Sequence, residues 1–145
     1  MTTMGRHRIP WRRPVIVGLL VLATAGCGAG GDTRAATTSH DAIAARIQAA
    51  LRQRPDVVTA EVNYQNTLDA SAQATAAISV KPGTDLDRTV DAALRLIWQS
   101  KLFPLRSINL YVTYDHGDQP GTTRSIDTVR QKAELDRAYG PRPIG

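Results

Sequence analysis

The chain has 145 residues, of which 42% are hydrophobic and 21% charged, and its formal net charge is +5. This length holds one modest domain with or without a tail, and a single cysteine excludes a disulfide framework or a multi-cysteine metal site. Four of the 18 basic residues (Arg6, Arg8, Arg12 and Arg13) lie in the first 26 residues, which contain no acid, so the remainder carries 14 basic against 13 acidic residues. We therefore expect no nucleic-acid binding.

Residues 1–26 have the pattern of a secretory signal peptide. A basic segment over residues 6–13 precedes an apolar run over residues 15–23, and small residues follow. The dozen residues that begin at Val15 span only about 18 Å as a helix, whereas the hydrocarbon core of a bilayer is about 30 Å thick. We predict a cleaved leader rather than a permanent anchor. The Arg12-Arg13 pair is similar to the twin-arginine export signal, which leaves the general and twin-arginine routes open.

Cys27 follows the small residues Ala25 and Gly26. Residues 1–27 resemble a bacterial lipoprotein signal peptide, whose lipobox ends in a small residue followed by the cysteine that receives diacylglycerol. Thr24 departs from the Leu that this family prefers. The resemblance implies cleavage before Cys27 and a lipid on its sulfur, which would hold the mature protein at the extracytoplasmic face of the cell membrane. The alternative is an ordinary signal peptide with an incidental cysteine.

The mature chain is predicted to have three parts. Residues 27–38 are small, polar and aperiodic, which indicates a flexible tether between lipid and domain. Residues 39–116 carry the periodic hydrophobic patterns of a small α+β domain. Residues 117–145 are predicted as a loop and a C-terminal helix.

The predicted domain begins with a helix and two strands. Ser39 is the expected N-cap of a helix that runs to about Arg54, because Pro55 ends it. A period of two then predicts two strands. Their inward residues are Val58, Ala60, Val62 and Tyr64 in the first, and Ala72, Ala74, Ala76, Ile78 and Val80 in the second. Since alanine is a poor strand former, a helix over residues 70–77 is the alternative for the second.

The second half is predicted to contain a helix, a strand, a loop and a helix. Thr84 and Asp87 resemble a capping box. They open a helix to about Ser100 whose inward residues are Leu86, Val90, Ala93, Leu94 and Ile97. A third strand is expected over residues 107–115, a loop over 116–123, and a last helix over 125–139 that Gly140 ends.

This order, αββαβ plus a C-terminal helix, predicts an α+β fold of two layers. A hairpin followed by a crossover helix gives a small mixed three-stranded sheet, with helices on one face. In element order, residues 39–116 resemble BON domains, small α/β modules of bacterial envelope proteins associated with membrane attachment. The leader, the tether and the Ala/Arg-rich composition together are similar to those of actinobacterial lipoproteins.

One loop offers candidate metal ligands. Asp115, His116 and Asp118, separated by Gly117, supply one imidazole and two carboxylates. The simpler interpretation is a solvated turn that glycine permits. We predict no metal, no cofactor and no catalytic residue.

Three other clusters are assigned structural roles. The acids Asp85, Asp87 and Asp91 fall in the first turns of a predicted helix, where the helix dipole favours them. The cations Arg46, Arg52 and Arg54 lie near a helix C-terminus for the same reason, with a lipid-headgroup contact as the alternative. Trp98, Leu102 and Phe103 are expected to pack at a helix end, with a docking or membrane-interface surface as the alternative.

The expected function is that of a non-enzymatic cell-envelope lipoprotein, anchored to the membrane by lipid on Cys27, that binds an envelope protein or another envelope component. One alternative is a lipid-anchored enzyme or metal-dependent protein that uses the loop over residues 115–118. Another is a surface scaffold that docks a partner through helix 125–139.

Overall fold

The computed structural model describes residues 31–67, 71–116 and 119–143, which form three helices and two consecutive pairs of strands between them. In chain order the elements are α1 (Gly31–Arg52), β1 (Val57–Gln65), β2 (Gln73–Val80), α2 (Leu86–Trp98), β3 (Ser107–Tyr114), β4 (Thr122–Asp127) and α3 (Lys132–Tyr139). The predicted α+β class is confirmed.

The four strands form one mixed sheet in the order β1-β2-β3-β4. The β1–β2 and β3–β4 pairs are antiparallel, and β2 and β3 are parallel, joined by the crossover helix α2. The predicted hairpin and parallel crossover are therefore confirmed. The prediction of a three-stranded sheet is wrong, because β4 adds a fourth strand at the edge of β3.

The sequence did not predict β4 because apolar and polar residues hardly alternate along it. Of its six residues only Ile126 is buried, opposite Ile108 of β3. What forms the strand is the free edge of β3, whose backbone groups need partners. The predicted helix 125–139 is wrong at its start for the same reason. Ser125 lies in β4 and its hydroxyl donates to Asn109 Oδ1 at 2.8 Å, and the helix begins only at Lys132.

One face of the sheet carries the hydrophobic core. Buried side chains of the strands form a single cluster with those of α1, α2 and α3, so the helices cover one face and leave the other uncovered. The predicted inward residues of β2 are all buried, including the alanines, and the helix alternative for residues 70–77 is wrong. Pairing with β1 and β3 on both sides overrides the low strand propensity of alanine.

The first strand is shifted by a β-bulge. The register between β1 and β2 slips between Val57 and Thr59, so Val57 points inward and Val58 is exposed. A bulge inserts one residue into one strand and thereby reverses the alternation beyond it. The predicted inward position of Val58 is wrong for this reason, whereas those of Ala60, Val62 and Tyr64 are confirmed.

Helix α1 begins at Gly31, eight residues before the predicted cap Ser39. The predicted tether over residues 27–38 is thus helical from Gly31 onward, and residues 27–30 lie outside the described part. The segment contains Arg34, Ala35 and Ala36, which are good helix formers, and extending an existing helix costs far less than starting one. In α2 the cap is Asp85 rather than Thr84, since the Asp85 carboxylate accepts from the backbone N–H of Arg88 at 3.2 Å.

The outer edge of β1 is covered by side chains of α1. Gln48 Oε1 accepts from the backbone N–H of Val62 at 3.1 Å, and Arg52 Nε donates to the carbonyl of Ala60 at 3.0 Å. These contacts occupy backbone groups that would otherwise present an open strand edge. Beyond the helix, Arg54 pairs with Asp56 at 2.8 Å. Two of the three arginines near this end therefore have structural partners.

Candidate binding groove

The predicted lipid-attachment residue, Cys27, lies outside the described residues, as does the whole predicted leader. Its acylation stays a prediction from the sequence. Three residues separate Cys27 from Gly31, where α1 begins. The lipid would therefore sit close in sequence to the first helix.

The candidate metal loop is only partly described. His116 adopts a left-handed backbone conformation (φ 53°), its side chain is 93% exposed, and its Nε2 lies 3.6 Å from Asp115 Oδ2. Gly117 and Asp118 lie outside the described residues. Among the described side chains, no group of three or more His, Cys, Asp or Glu residues is placed to hold a metal ion. The metal-dependent alternative gains no support from the contacts of Asp115 and His116.

The aromatic cluster at the end of α2 divides between core and surface. Trp98 and Leu102 are buried, which confirms the packing interpretation for both, whereas Phe103 is 65% exposed. Trp98 Nε1 donates to the carbonyl of Gly140 at 3.0 Å, and Gln99 Nε2 also donates to that carbonyl, at 3.3 Å. These bonds hold the segment after α3 against the end of α2.

An open groove of about 380 Å³ forms where these segments meet. Its lining is mostly apolar, and its residues are Trp98, Phe103, Leu105, Thr128, Val129, Lys132, Arg142 and Pro143. Val129 is as exposed as Phe103, at 65%. Of the four large hydrophobic side chains that are exposed in the described part, these two line the same groove. An exposed apolar concavity is a common mark of a binding site.

The groove is positively charged on one side. The Arg142 guanidinium lies over the Trp98 ring, 5.6 Å from its centroid, and the Arg142 Nε and Nη2 atoms are buried without a hydrogen-bond partner. Burial lowers the pKa of Arg142. The other cation, Lys132, pairs with Asp136. None of the residues that line the groove is acidic, so the groove offers Arg142 no carboxylate partner.

A buried threonine builds the wall of this groove. Thr128 Oγ1 donates to the carbonyl of Leu105 at 2.6 Å, and the Thr128 backbone N–H donates to the carbonyl of Arg106 at 3.0 Å. Next to it, the Asp127 carboxylate accepts from the backbone N–H groups of Val129 and Arg130, each at 3.0 Å. This local turn ends β4 and presents Val129 outward.

Sequence reasoning found Trp98 and Phe103 but missed Val129 and Arg142. The two missed residues lie in the turn after β4 and in the segment after α3, far along the chain from Trp98. They reach the groove only because β4 pairs with β3 and because Gly140 is bound to Trp98. An apolar residue in a polar turn was the one signal that the sequence offered for Val129.

A second cavity of about 360 Å³ lies between α2, β4 and α3 and is lined by charged groups, among them Asp87, Arg124 and Glu134. Arg124 lies 4.0 Å from Asp87 across it. The Tyr139 hydroxyl donates to Asp91 Oδ1 at 2.8 Å, and Leu135 is buried. The terminal helix therefore packs on the core through Leu135 and the Tyr139–Asp91 hydrogen bond.

The Tyr139 contact predicts a loss of stability at high pH. Burial and, secondarily, its bond to Asp91 raise the pKa of Tyr139 to about 12, against 10.0 for an ordinary tyrosine. Because the folded-state pKa is the higher one, this stabilisation is fully present below pH 10 and is lost as the pH rises through 12. Urea unfolding between pH 9 and pH 12 measures it in the wild type and in Tyr139→Phe. An equal pH dependence in the two proteins would contradict the assignment.

The uncovered face of the sheet is polar. A chain of side-chain hydrogen bonds crosses all four strands: Gln73 donates to Gln65 at 3.2 Å, Asn109 to Gln73 at 3.4 Å, and Ser125 to Asn109 at 2.8 Å. Tyr111 is the exposed aromatic residue of this face. The hydrogen-bonded amides fit a solvated sheet face.

No described helix combines the length and the apolar character needed to cross a bilayer. Comparison of the chain with protein-family models, with curated proteins and with solved structures gives no match.

Proposed function

We propose that this protein is a non-enzymatic lipoprotein of the cell envelope, anchored on the extracytoplasmic face of the cell membrane by lipid on Cys27, whose α+β domain binds an envelope component. The observation that carries the proposal is the position of Cys27. The only cysteine of the chain stands directly after a basic, then apolar, then small-residue leader.

The arrangement of the domain supports this proposal. The His40 ring of α1 lies 4.7 Å from the Tyr64 ring, and the Tyr64 hydroxyl donates to the carbonyl of Pro104. Pro104 stands between Phe103 and Leu105, which line the groove. The N-terminal half of α1, which follows Cys27 in sequence, is therefore at the same end of the domain as the groove. A lipid on Cys27 would bring that end near the bilayer.

The physical basis of the anchor is additive burial of methylene groups. Each buried CH₂ contributes about 0.8 kcal/mol, and a single acyl chain gives only marginal, reversible membrane binding. A diacylglyceryl group on one cysteine supplies two chains, which is enough for stable attachment. The anchor then needs no membrane-spanning segment.

Intact-mass analysis of the protein from the membrane fraction tests the anchor. We expect the mass of the chain that begins at Cys27 plus a diacylglyceryl adduct, and partition into the detergent phase. Cys27→Ser is expected to abolish the adduct and move the protein to the aqueous phase, because its hydroxyl does not replace the thiol as acceptor. An unmodified Cys27 in a water-soluble mature chain would overturn the proposal.

A further inference from the structure

The uncovered face of the sheet contains a shallow, elongated trough. Small side chains of β2 form its floor, namely those of Thr75, Ala77 and Ser79. Longer side chains stand beside this floor, from β1 on one side and at Tyr111 of β3 on the other. Two adjoining depressions of about 310 and 350 Å³ share Ala77 in their lining. Together they follow β1 over residues 59–65, which is about 20 Å at 3.4 Å per residue.

Hydrogen-bonded amide groups lie at one end of this trough. Gln73 donates to Gln65 and accepts from Asn109, and Asn109 in turn accepts from Ser125. These bonds hold the amide groups in place, yet a side-chain amide has more donor and acceptor sites than the bonds use. All four side chains are at least partly exposed. The amides are therefore ordered and can be reached by a ligand from solvent.

Tyr111 supplies apolar surface to the same trough. Its side chain is 47% exposed and lines a depression together with Ala77, its partner in the β2–β3 register. Because the alanine side chain ends at Cβ, space is left beside the tyrosine. An exposed aromatic side chain next to hydrogen-bonding groups suits a ligand that combines a hydrocarbon face with a polar rim.

The charge of the trough points to a neutral ligand. Among the described residues that line the two depressions, the charged ones are Arg52 and Glu61, which have opposite signs. The Arg52 Nε also donates to the carbonyl of Ala60. A polyanion such as a nucleic acid, or an anionic membrane surface, would find no net counter-charge along the trough.

The shape and polarity of the trough fit a sugar chain better than a peptide. Peptides that bind sheets pair with the backbone of a free strand edge, whereas the backbone of β2 is paired on both sides. The small residues of the floor also offer no apolar pocket for peptide side chains. A pyranose ring has hydrocarbon faces and a rim of hydroxyl groups, so it can stack on an aromatic ring while its rim bonds to amides.

We infer that this trough binds a neutral, extended glycan chain, with one sugar ring against Tyr111 and polar substituents of the chain bonded to Gln65 and Gln73. This inference rests on the proposed binding role of the domain and names its ligand class. It does not require a lipid on Cys27. Loss of the anchor and loss of glycan binding are therefore separate results.

The chain from Gly28 to Gly145 is suited to the test, because the buried apolar residues of the described part all lie between Ala44 and Leu135. The probes are chitotetraose and cellotetraose, which are extended and neutral, and maltotetraose, which has as many rings but coils. Calorimetric titration is expected to show saturable binding of at least one extended probe and affinity for maltotetraose weaker by about tenfold or more. Backbone amide signals of Ala77 and Tyr111 should shift in the nuclear magnetic resonance spectrum.

Four variants separate the contributions to binding. Tyr111→Ala is expected to weaken binding of the extended probe by about tenfold or more, because the stacking surface is lost, whereas Tyr111→Phe should keep the affinity within about threefold. Gln73→Ala removes the central amide and should weaken binding by about five- to tenfold. Phe103→Ser removes an exposed aromatic ring outside the trough and should leave the affinity unchanged.

No binding of either extended probe, equal affinity for maltotetraose, or unchanged affinity in both Tyr111→Ala and Gln73→Ala would overturn the inference. So would preferential binding of dextran sulfate or of anionic phospholipid vesicles, which would assign the face to a charged partner. A concentration-dependent dimer that Tyr111→Ala abolishes, without oligosaccharide binding, would assign it to a second copy of the chain. Thermal unfolding of each variant shows whether it is folded.

Discussion

Leu110→Ala is expected to lower the free energy of unfolding by about 2–5 kcal/mol, because it leaves a cavity in the centre of the sheet. Leu110 lies in β3, between Ala76 of β2 and Arg124 of β4, and its side chain is 0% exposed. The neighbouring side chain of Ala76 is small, so few atoms are available to fill the cavity that Leu110→Ala would leave. Urea unfolding followed by far-ultraviolet circular dichroism measures the loss.

Tyr111→Ala is the matched control for this prediction. Tyr111 is the next residue of the same strand, points to the uncovered face and is 47% exposed. It is larger than Leu110, yet we expect its removal to cost less than about 1 kcal/mol, the scale of a cross-strand pair. If Tyr111→Ala destabilised the protein as much as Leu110→Ala, the face that we describe as uncovered would be packed.

Trp98→Ala is expected to cost about 3–5 kcal/mol, the usual range for a buried tryptophan. The indole is buried at the end of α2, stacks with the Arg142 guanidinium, and donates to the carbonyl of Gly140. Its removal therefore empties part of the core and takes away one of the two side-chain donors that hold the Gly140 carbonyl. Urea unfolding measures the stability. Amide hydrogen exchange at Gly140, whose backbone N–H donates to the carbonyl of Asp136, should become faster beyond the change explained by global unfolding.

Two variants separate the contributions of Trp98. Trp98→Phe keeps most of the apolar volume and loses the Nε1 hydrogen bond, which contributes about 0.5–1.5 kcal/mol. Gly140 retains a donor in that variant, since Gln99 Nε2 also reaches its carbonyl at 3.3 Å. Phe103→Ala, at an exposed position, should be nearly neutral for stability. A cost for Phe103→Ala equal to that of Trp98→Ala would show that Phe103 is enclosed.

The elements that the sequence predicted correctly are those in which the spacing of apolar residues along the element indicates which side chains are buried. In α2 the spacing of Val90, Ala93, Leu94 and Ile97 follows the helical period, and all four are buried. In β2 and β3 the alternation of apolar and polar residues predicted the buried face, and the helical crossover through α2 predicted that the two strands are parallel. Local geometry fixes these periods, so local sequence is enough to predict them.

The elements that were predicted wrongly depend on contacts with segments that are distant in sequence. Strand β4 contains one buried residue, Ile126, and exists because the edge of β3 offers it backbone hydrogen bonds. A bulge opposite β2 decides which residues point inward at the start of β1. The alternation of residues within β1 does not indicate that bulge. The start of α1 at Gly31 reflects helix extension from a packed segment rather than a capping signal at Ser39.

The sequence by itself determined the α+β class, the central strands, the crossover helix and the prediction of a lipid on Cys27, because each rests on a linear pattern of residues. Only the tertiary structure decided the fourth strand, the short terminal helix and the groove. That groove joins Phe103, Val129 and Arg142, three residues from separate segments, around Trp98. Strand pairing and the hydrogen bond from Trp98 to Gly140 bring them together, and such non-local contacts leave no periodic trace in the chain.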